Sequence, residues 1–503
     1  MRNTVQSPFY HSDGAQTRST ALTRIWRPIF TQAAVLLALA VTLTACNQAS
    51  SQAAHPRATP TPTATPFPQV ISDSTFVNMT LVSGVVYAGA GSNGVYALRA
   101  SDGHVLWHRE IEGSVSFDPL LVNGIVYISS SVGDGLSYTY ALRASDGAQL
   151  WRYSSNNYAF LPTISGDVAY ITGEGGYVTA LRASDGHQIW RTNTAAPVYG
   201  VPLVMNGVVY AASSFSYYSA SNGPGYIYAL RASDGHQLWR VTTDESPTLS
   251  MAMNGAVYAF TNNALFALDA GDGHQRWRQS LDTSIGPQSQ VVNGVMYFTT
   301  TEISLEGTPT TGSAGPASPL GAAGNLLQSV MQMAPVTTVR PHKEGISSIY
   351  AVRIDNGAVL WHYKLTPEGG NNWAQWLSVS DDGIVYTGSF VGENKGYIYA
   401  LNADDGSLLW RHTTQNATPE NAAVVGGVIY VGITTSGGDQ TSMYAQRASD
   451  GSPIWQRPLD GPLSEAPIVP GDTIYVGTTT GAIYALRAST GSVLWHFIAL
   501  AGS

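Results

Sequence analysis

Short apolar runs separated by glycine-containing turns make up most of the chain. In residues 202–240, PLVM leads to Asn206-Gly207, VVYAAS follows, and YIYALRA leads through Asp234-Gly235 to HQLWRV. Short runs rich in Val, Ile, Tyr and Trp between such turns predict β-strands, here four in succession. Alternate residues of YIYALRA point to opposite faces, and both faces carry apolar groups, so the predicted sheet is covered on both sides.

This four-strand unit recurs along the chain with a tryptophan in its last strand. The nine tryptophans lie 38 to 49 residues apart, except for one spacing of 84. A period of about 40 to 45 residues is typical of propeller blades, and no helical periodicity intervenes. We predict an all-β fold over residues 70–503: a β-propeller of four-stranded antiparallel blades, with nine units counted and eight blades as the alternative. The structural tryptophans are Trp107, Trp151, Trp190, Trp239, Trp277, Trp361, Trp410, Trp455 and Trp495.

The turns contain the most constant residues of the unit. Asn-Gly and Asp-Gly predict tight hairpins in which both residues take positive φ. Seven units carry Asp-Gly before the last strand, whereas Asn356-Gly357 and Thr490-Gly491 replace it in the other two. The glycine is therefore the essential member of the pair, and the acid is dispensable.

If strands a, b, c and d run up and down in turn, the a–b and c–d turns share one rim and the b–c and d–a loops share the other. Nearly every irregular segment falls on the second rim, where binding residues are commonly found. It includes an inserted loop at 302–347, read as a flexible loop or a short lid helix, with an eroded blade as the alternative. The candidate ligand-binding residues on this rim are Phe215, Tyr217, Tyr218, Asn371, Asn372, Trp373 and Trp376. The alternative for Trp373 and Trp376 is a packing role at the axis or on a blade top.

The amino terminus has the pattern of an export signal. Basic residues precede the uncharged run 33–45, which has signal-peptide length and is too short to span a bilayer. The junction LTAC resembles the lipobox of bacterial lipoproteins, which implies that Cys46 is lipidated; an ordinary signal followed by an incidental cysteine is the alternative. We predict a signal peptide at 1–45, and a lipidated cysteine with a Pro/Thr-rich linker at 46–69 that tethers the propeller.

Composition narrows the candidate chemistry. Charged residues make up 11% of the chain, the net charge is −9, and no basic run occurs beyond the first 30 residues, which argues against nucleic-acid binding. The single cysteine excludes an intrachain disulfide and a cysteine-based metal cluster. Histidines recur after the Asp-Gly turns of different blades and so fan around a rim. We predict no metal site and no catalytic residues.

The motif YALxAxDGxxxW resembles the pyrroloquinoline-quinone (PQQ) type propeller repeat. Quinoprotein alcohol dehydrogenases share this repeat with the propeller lipoprotein of the outer-membrane barrel-assembly machinery, and the resemblance covers nearly all of residues 80–497. For the dehydrogenases it implies an axial quinone, a calcium ion held by acidic and amide side chains, and a disulfide between adjacent cysteines. Cys46 cannot supply that disulfide. PQQ and calcium are therefore disfavoured, and no cofactor is predicted.

We expect a monomeric, non-catalytic scaffold that is exported and anchored as a lipoprotein. Its membrane is the outer face of the cytoplasmic membrane or another envelope membrane. The expected partners are envelope proteins or cell-surface ligands, bound through the loop-rich rim. A quinone-dependent dehydrogenase and a carbohydrate-binding surface protein are the alternatives.

Overall fold

The computed structural model describes residues 77–499, apart from 116, 134, 157–159, 215–223, 282, 304–344, 366–371, 392–394, 416 and 436–439. The predicted signal peptide, Cys46 and the linker lie outside these residues. Within them the structure contains no helix with the length and apolar character needed to cross a membrane.

The described residues form eight sheets, and one of them combines two four-stranded units, so the strands divide into nine antiparallel blades, named one to nine in chain order. The predicted all-β propeller is confirmed. Blades one to three contain β1 (Val77–Val82), β2 (Val85–Ala90), β3 (Val95–Arg99) and β4 (Val105–Arg109); β5 (Ser114–Val115), β6 (Leu120–Val122), β7 (Ile125–Gly133), β8 (Leu136–Arg143) and β9 (Gln149–Asn156); and β10 (Thr163–Ser165), β11 (Val168–Gly173), β12 (Tyr177–Arg182) and β13 (Gln188–Asn193).

Blades four to six contain β14 (Leu203–Met205), β15 (Val208–Ser214), β16 (Gly225–Arg231) and β17 (Gln237–Thr243); β18 (Thr248–Met253), β19 (Ala256–Phe260), β20 (Ala264–Asp269) and β21 (Gln275–Ser280); and β22 (Ser284–Val292), β23 (Val295–Ile303), β24 (Gly345–Arg353) and β25 (Val359–Lys364). Blades seven to nine contain β26 (Asn372–Val379), β27 (Ile384–Val391), β28 (Lys395–Asn402) and β29 (Leu408–Gln415); β30 (Ala417–Val425), β31 (Val428–Thr435), β32 (Thr441–Arg447) and β33 (Pro453–Leu459); and β34 (Thr473–Gly477), β35 (Ala482–Arg487) and β36 (Val493–Ile498).

Two blades depart from the four-strand plan, and two others are joined to each other. Strand a of blade two is split into β5 and β6, which both pair with β7. In blade nine, two isolated bridges take the place of strand a. Leu463 pairs with Thr478, which follows β34, and Ile468 pairs with Tyr475 within β34. Blades six and seven are joined by one parallel bridge between Ile346 and Asn372. Strand a is the innermost strand, because it contacts strand a of neighbouring blades, as β14 does with β10 and β18.

Both faces of each blade are buried, as the alternation in YIYALRA predicts. In β16, Tyr228 and Leu230 pack against blade three, whereas Ile227 and Ala229 pack against blade five. One apolar layer therefore separates each pair of neighbouring blades. Burial of a large side chain in such a layer stabilises the fold by about 2 to 3 kcal/mol.

The repeated tryptophan connects each blade to the next. Trp107 Nε1, in β4, donates a hydrogen bond to the Ala144 carbonyl of blade two at 2.9 Å. The same bond links every junction: Trp151 to Ala183, Trp190 to Ala232, Trp239 to Ala270, Trp277 to Ile354, Trp361 to Ala403, Trp410 to Ala448, Trp455 to Ala488 and Trp495 to Ala100. The last bond returns to blade one, so the nine blades close into a ring.

A β-bulge positions each of these tryptophans. In blade one, Ala97 pairs with Trp107 and Leu98 pairs with Val105, so Leu106 is left without a partner. The c–d strand pair of every blade shifts register at the same place. The bulge turns the tryptophan towards the next blade and leaves the preceding residue on the outside of the ring. Leu106 is accordingly exposed.

The two kinds of tight turn have different geometry. In the a–b turn, Asn206 and Gly207 both take positive φ, of 50° and 75°, as predicted. In the c–d turn, Gly235 has φ of 72°, but Asp234 does not take positive φ. The expectation is therefore wrong for the aspartate of this turn. Asp234 acts instead through its side chain, which accepts the His236 backbone N–H at 2.9 Å and pairs with Arg231.

The ring closes without a strand shared between the two ends of the chain. Among the described residues, β1 pairs only with β2, and β36 pairs only with β35. The junction of blades nine and one, here called the seam, is made by packing and side-chain hydrogen bonds. Besides the tryptophan bond, the Tyr475 hydroxyl donates to Ala100 O at 2.9 Å, and Asn93 Nδ2 donates to Ala499 O at 3.2 Å.

Candidate functional site

The two rims of the ring are built differently. The a–b and c–d turns form the glycine-turn rim, and the b–c and d–a connections form the loop-rich rim. In chain order, 215–223 and 304–344 come between a strand b and a strand c, and 366–371 come between a strand d and a strand a; these residues lie outside the described ones. The scaffold therefore presents one uniform rim and one variable rim.

The structure relocates part of the predicted rim site. Phe215, Tyr217, Tyr218 and Asn371 lie outside the described residues. Asn372, Trp373 and Trp376 were predicted in a rim loop, but they belong to β26, which is strand a of blade seven. The upstream Gly-Gly-Asn-Asn sequence is typical of a loop, whereas pairing with β27 draws the last of these asparagines into the sheet.

These three side chains have different environments. Asn372 is fully buried and donates through Nδ2 to Leu365 O at 2.6 Å. Trp376 is 4% exposed and packs between blades seven and eight. Trp373 is 41% exposed and lies against Gly345 of blade six. The two tryptophans therefore do not form one aromatic platform, and Trp373 alone faces solvent on the loop-rich rim.

The insertion is shorter than predicted at both ends. Glu302 and Ile303 continue β23, and 345–347 begin β24, so these residues are strand rather than loop. An ion pair at 2.8 Å between Glu302 and Lys364 links β23 to β25. Residues 304–344 form the b–c connection of blade six and lie outside the described residues.

Side chains of one blade accept hydrogen bonds from backbone N–H groups on the inner edge of a neighbouring blade. Glu420 of blade eight accepts the Leu463 N–H of blade nine at 3.1 Å, and Glu465 of blade nine accepts the Met79 N–H of blade one at 2.7 Å. Between blades six and seven, Gln290 Oε1 accepts the Val379 N–H at 2.6 Å. A backbone N–H on a strand edge is costly to bury without a partner, so these bonds stabilise the inner ring.

Three carboxyl groups lie on or beside the inner strands of blades two, eight and nine: Asp118, Glu420 and Glu465. Burial raises the pKa of Glu420 and of Asp118, and it raises the pKa of Glu465 well above its ordinary value, with the Asp118 charge adding to the effect. The prediction missed all three residues. A signal was present, because Glu420 and Glu465 each lie ten residues before the strand-b tyrosine of their unit, Tyr430 and Tyr475.

A cavity of about 340 Å³ opens on the same rim at blade three. Its wall is formed by 174–177 and 193–197, and it contains the half-buried Glu174 carboxyl. The Thr194 N–H donates to Gly176 O at 2.9 Å, and the Ala195 N–H donates to the Tyr228 hydroxyl at 2.8 Å, which fixes the wall. Burial raises the pKa of Glu174.

The repeated turn residues are placed for structure. The His104 backbone N–H and the Arg99 side chain hold the pKa of Asp102 below its ordinary value. Both contacts recur at Asp146, Asp185 and Asp234. Only the backbone bond recurs at Asp272, Asp405 and Asp450. In the described part of the chain, no three His, Cys, Asp or Glu side chains come together as a metal site. The histidines that follow the turns are His104, His187, His236 and His274, each on a different blade.

A family model described as outer membrane protein assembly factor BamB matches the chain at residues 68–159, 137–286, 223–393 and 394–501. No curated protein matches significantly. Among solved structures, BamB from Moraxella catarrhalis is 15% identical, with 73% of this chain and 95% of that chain covered and a TM-score of 0.45.

Two dehydrogenases of known structure are also similar to this chain, again at low sequence identity. The quinohemoprotein alcohol dehydrogenase ADHIIG from Pseudomonas putida HK5 is 14% identical, with 76% and 71% of the two chains covered and a TM-score of 0.45. The dihydro-heme d1 dehydrogenase NirN is 11% identical, with 78% and 76% covered and a TM-score of 0.49. The family-model matches together run from residue 68 to residue 501. The chain therefore belongs to the BamB-like family of PQQ-type repeat propellers.

Proposed function

We propose that this protein is a non-catalytic scaffold, held to an envelope membrane by a lipid on Cys46, that binds other envelope proteins through its loop-rich rim. The difference between the two rims carries the proposal. The repeated Tyr, Asp, Gly and Trp residues are occupied in packing and turn formation, so the residues free to vary are those of the loop-rich rim.

Family membership supports the location and the kind of partner. The matching family model is described as an outer membrane protein assembly factor, which is a protein of the cell envelope that works with other proteins. The predicted signal peptide and lipobox would bring the chain to the same compartment. The Pro/Thr-rich linker would then separate the ring from the lipid.

Site-specific photocrosslinking in the native envelope tests the partner face. A photoreactive phenylalanine analogue at Trp373, on the loop-rich rim, should give discrete protein adducts on illumination. The same analogue at Asn123, an exposed a–b turn residue of the glycine-turn rim, is the matched control and should give none. Adducts from position 123 alone, or from neither position, would contradict the proposal.

Metabolic labelling with a fatty acid tests the anchor separately. The wild-type protein should incorporate label, and Cys46→Ser should lose it, because Cys46 is the only cysteine of the chain. Label in Cys46→Ser would refute the lipid anchor and leave the rim proposal standing.

The residues of this chain do not match the quinone and calcium site that the resemblance implies for the dehydrogenases. Cys46 is the single cysteine, so adjacent cysteines are lacking. The buried glutamates near the axis, Glu420 and Glu465, each use one carboxyl oxygen on a backbone N–H of the next blade. We therefore assign no cofactor to this protein.

A further inference from the structure

The outer wall of the ring is formed by strand d of each blade, because strand d lies at the opposite edge of the sheet from the inner strand a. The c–d turn leads directly into strand d, so the first residues of this strand lie at the corner between the outer wall and the glycine-turn rim. The residue two positions before the repeated tryptophan is exposed in all nine blades. Since packing does not constrain this position, its side chain is free to serve a binding function.

This exposed position divides the blades into two groups. It is glutamine in blades two to five, at Gln149, Gln188, Gln237 and Gln275. It is apolar in blades six to nine and in blade one, at Val359, Leu408, Pro453, Val493 and Val105. Blade one is farthest from blade nine in sequence, but the bond from Trp495 to Ala100 makes the two blades neighbours in the ring. The five apolar blades are therefore consecutive in space.

The next residue of strand d extends the apolar surface. The five apolar residues are followed by Leu360, Leu409, Ile454, Leu494 and Leu106, and we name the ten residues together the apolar arc. Fifteen large apolar side chains are exposed in the described part of the chain, and nine of them, from 36% to 48% exposed, belong to this arc. An exposed apolar surface that spans five neighbouring blades is typical of an interaction surface.

Polar and charged residues decrease in the same blades. The turn aspartate is replaced by Asn356 in blade six and by Thr490 in blade nine. Blades one, three, four and five have histidine just before the two wall residues, whereas blades six to nine have the small residues Ala358, Ser407, Ser452 and Ser492. Glutamine at the first wall position of four blades shows that the fold does not need an apolar residue there. The apolar arc therefore favours contact with an apolar surface over contact with water.

We propose that the apolar arc rests on the lipid bilayer to which the protein is tethered. The inference goes beyond the partner face but rests on the proposed lipid anchor, since the anchor keeps a bilayer within reach. The described chain begins at Val77 in blade one, which is a blade of the arc. An extended Pro-rich chain spans about 3 Å per residue. The residues between Cys46 and Val77 are therefore numerous enough for the arc to reach the surface that holds the lipid.

A bilayer suits the apolar arc better than a second protein does. All ten arc residues are Val, Leu, Ile or Pro, whereas the central residues of protein interfaces are enriched in Trp, Tyr and Arg. Aliphatic side chains that enter the boundary between headgroups and acyl chains are stabilised in proportion to the apolar area that they bury. The outer wall of a closed ring also curves outward, so two copies would touch over only part of the arc. With the arc on the bilayer, the loop-rich rim at the opposite edge of the wall remains free for envelope proteins.

The first test places a fluorophore at equivalent positions inside and outside the apolar arc. Residues 46–503, which include the compact unit Gln69–Ser503, are tethered by an amino-terminal polyhistidine tag to vesicles of phosphatidylcholine and phosphatidylglycerol that contain a nickel-chelating lipid. Cys46→Ser leaves an introduced cysteine as the only thiol. The emission of a nitrobenzoxadiazole label on Leu409→Cys, in blade seven, should shift to shorter wavelength and be quenched by spin-labelled acyl chains. The same label on Leu238→Cys, in blade four, should be quenched at least about threefold less.

The second test changes the apolar arc itself. With the label on Val493→Cys in blade nine, Leu360→Gln combined with Leu409→Gln should reduce quenching about threefold, because two apolar side chains of the arc become polar. Ile189→Gln combined with Leu238→Gln is the matched control, since these residues have the same place in blades three and four and are similarly exposed. This pair should leave quenching unchanged. Blade five has an arginine at this place, so a polar side chain there is compatible with the fold.

Several results would contradict the membrane contact. Equal quenching at positions 409 and 238, absence of quenching at both, or an equal effect of the two glutamine pairs would overturn the proposal. A shift at position 409 that appears without vesicles and grows with protein concentration would show that a second copy covers the arc, and it would overturn the proposal too. The nickel tether does not use Cys46, so failure of fatty-acid labelling would refute the anchor and leave the outcome of this test unaffected.

Discussion

Replacing Gly147 with alanine should lower the free energy of unfolding by about 3 kcal/mol, measured as the shift in the urea midpoint followed by tryptophan fluorescence. A Cβ atom at this position would lie 2.6 Å from Trp107 Cε3, which is closer than any tolerated contact. Gly147 also has φ of 70°, where an L-residue is strained by about 1 to 2 kcal/mol. Overpacking against the tryptophan adds about 1 to 3 kcal/mol.

Gly124 provides a matched control in the same blade. It lies in the a–b turn with φ of 75°, but a Cβ atom there meets nothing within 4 Å. Gly124→Ala should therefore cost only the backbone strain of about 1 kcal/mol. Equal losses for the two variants would show that the turn conformation, and not the tryptophan contact, requires glycine at 147.

Trp495→Ala should destabilise the protein by about 3 to 5 kcal/mol, because it removes a buried aromatic side chain and the closing bond of the ring. Trp495 Nε1 donates to Ala100 O at 2.8 Å, and its ring packs on Gly103 of blade one. Hydrogen exchange should increase most in β1, β2, β35 and β36, on both sides of the seam. Thermal and urea denaturation, with exchange mapped by mass spectrometry, measure both effects.

Trp373→Ala is the control for the loss of a tryptophan. Its side chain is 41% exposed and, among the described residues, does not make the Nε1 hydrogen bond that joins the repeated tryptophans to the next blade. The cost should therefore stay near 1 kcal/mol, with no change in exchange at the seam. If Trp495→Ala costs no more than Trp373→Ala, the tryptophan contact does not close the ring.

The blade plan could be predicted because its determinants are local. Alternation in YIYALRA, the Asn206-Gly207 turn and the recurring tryptophan each act within a few residues, and each unit repeats them. Positive φ at the glycine of the c–d turn could be predicted from the turn, but its close contact with a tryptophan could not. Gly103 is held against Trp495, a residue from the other end of the chain, and only the closed ring brings the two together.

The functional surface was harder to predict because strand a carries the weakest repeat signal. Trp373 and Trp376 follow a loop-like sequence, and nothing local shows that β27 pairs with them. Asp118 and Glu465 belong to units two and nine, which are far apart in sequence. Any interaction between them therefore exists only in the assembled ring.

The seam repeats the bonds of the eight covalently connected junctions, with Trp495 on Ala100 in place of Trp107 on Ala144. Among the described residues, the tryptophan bond at the seam is therefore the same as the bond at the other junctions. Apart from the single bridge between blades six and seven, each blade completes its own hydrogen-bonded sheet before the next one starts, so a duplicated or deleted repeat would bring matching surfaces to the gap.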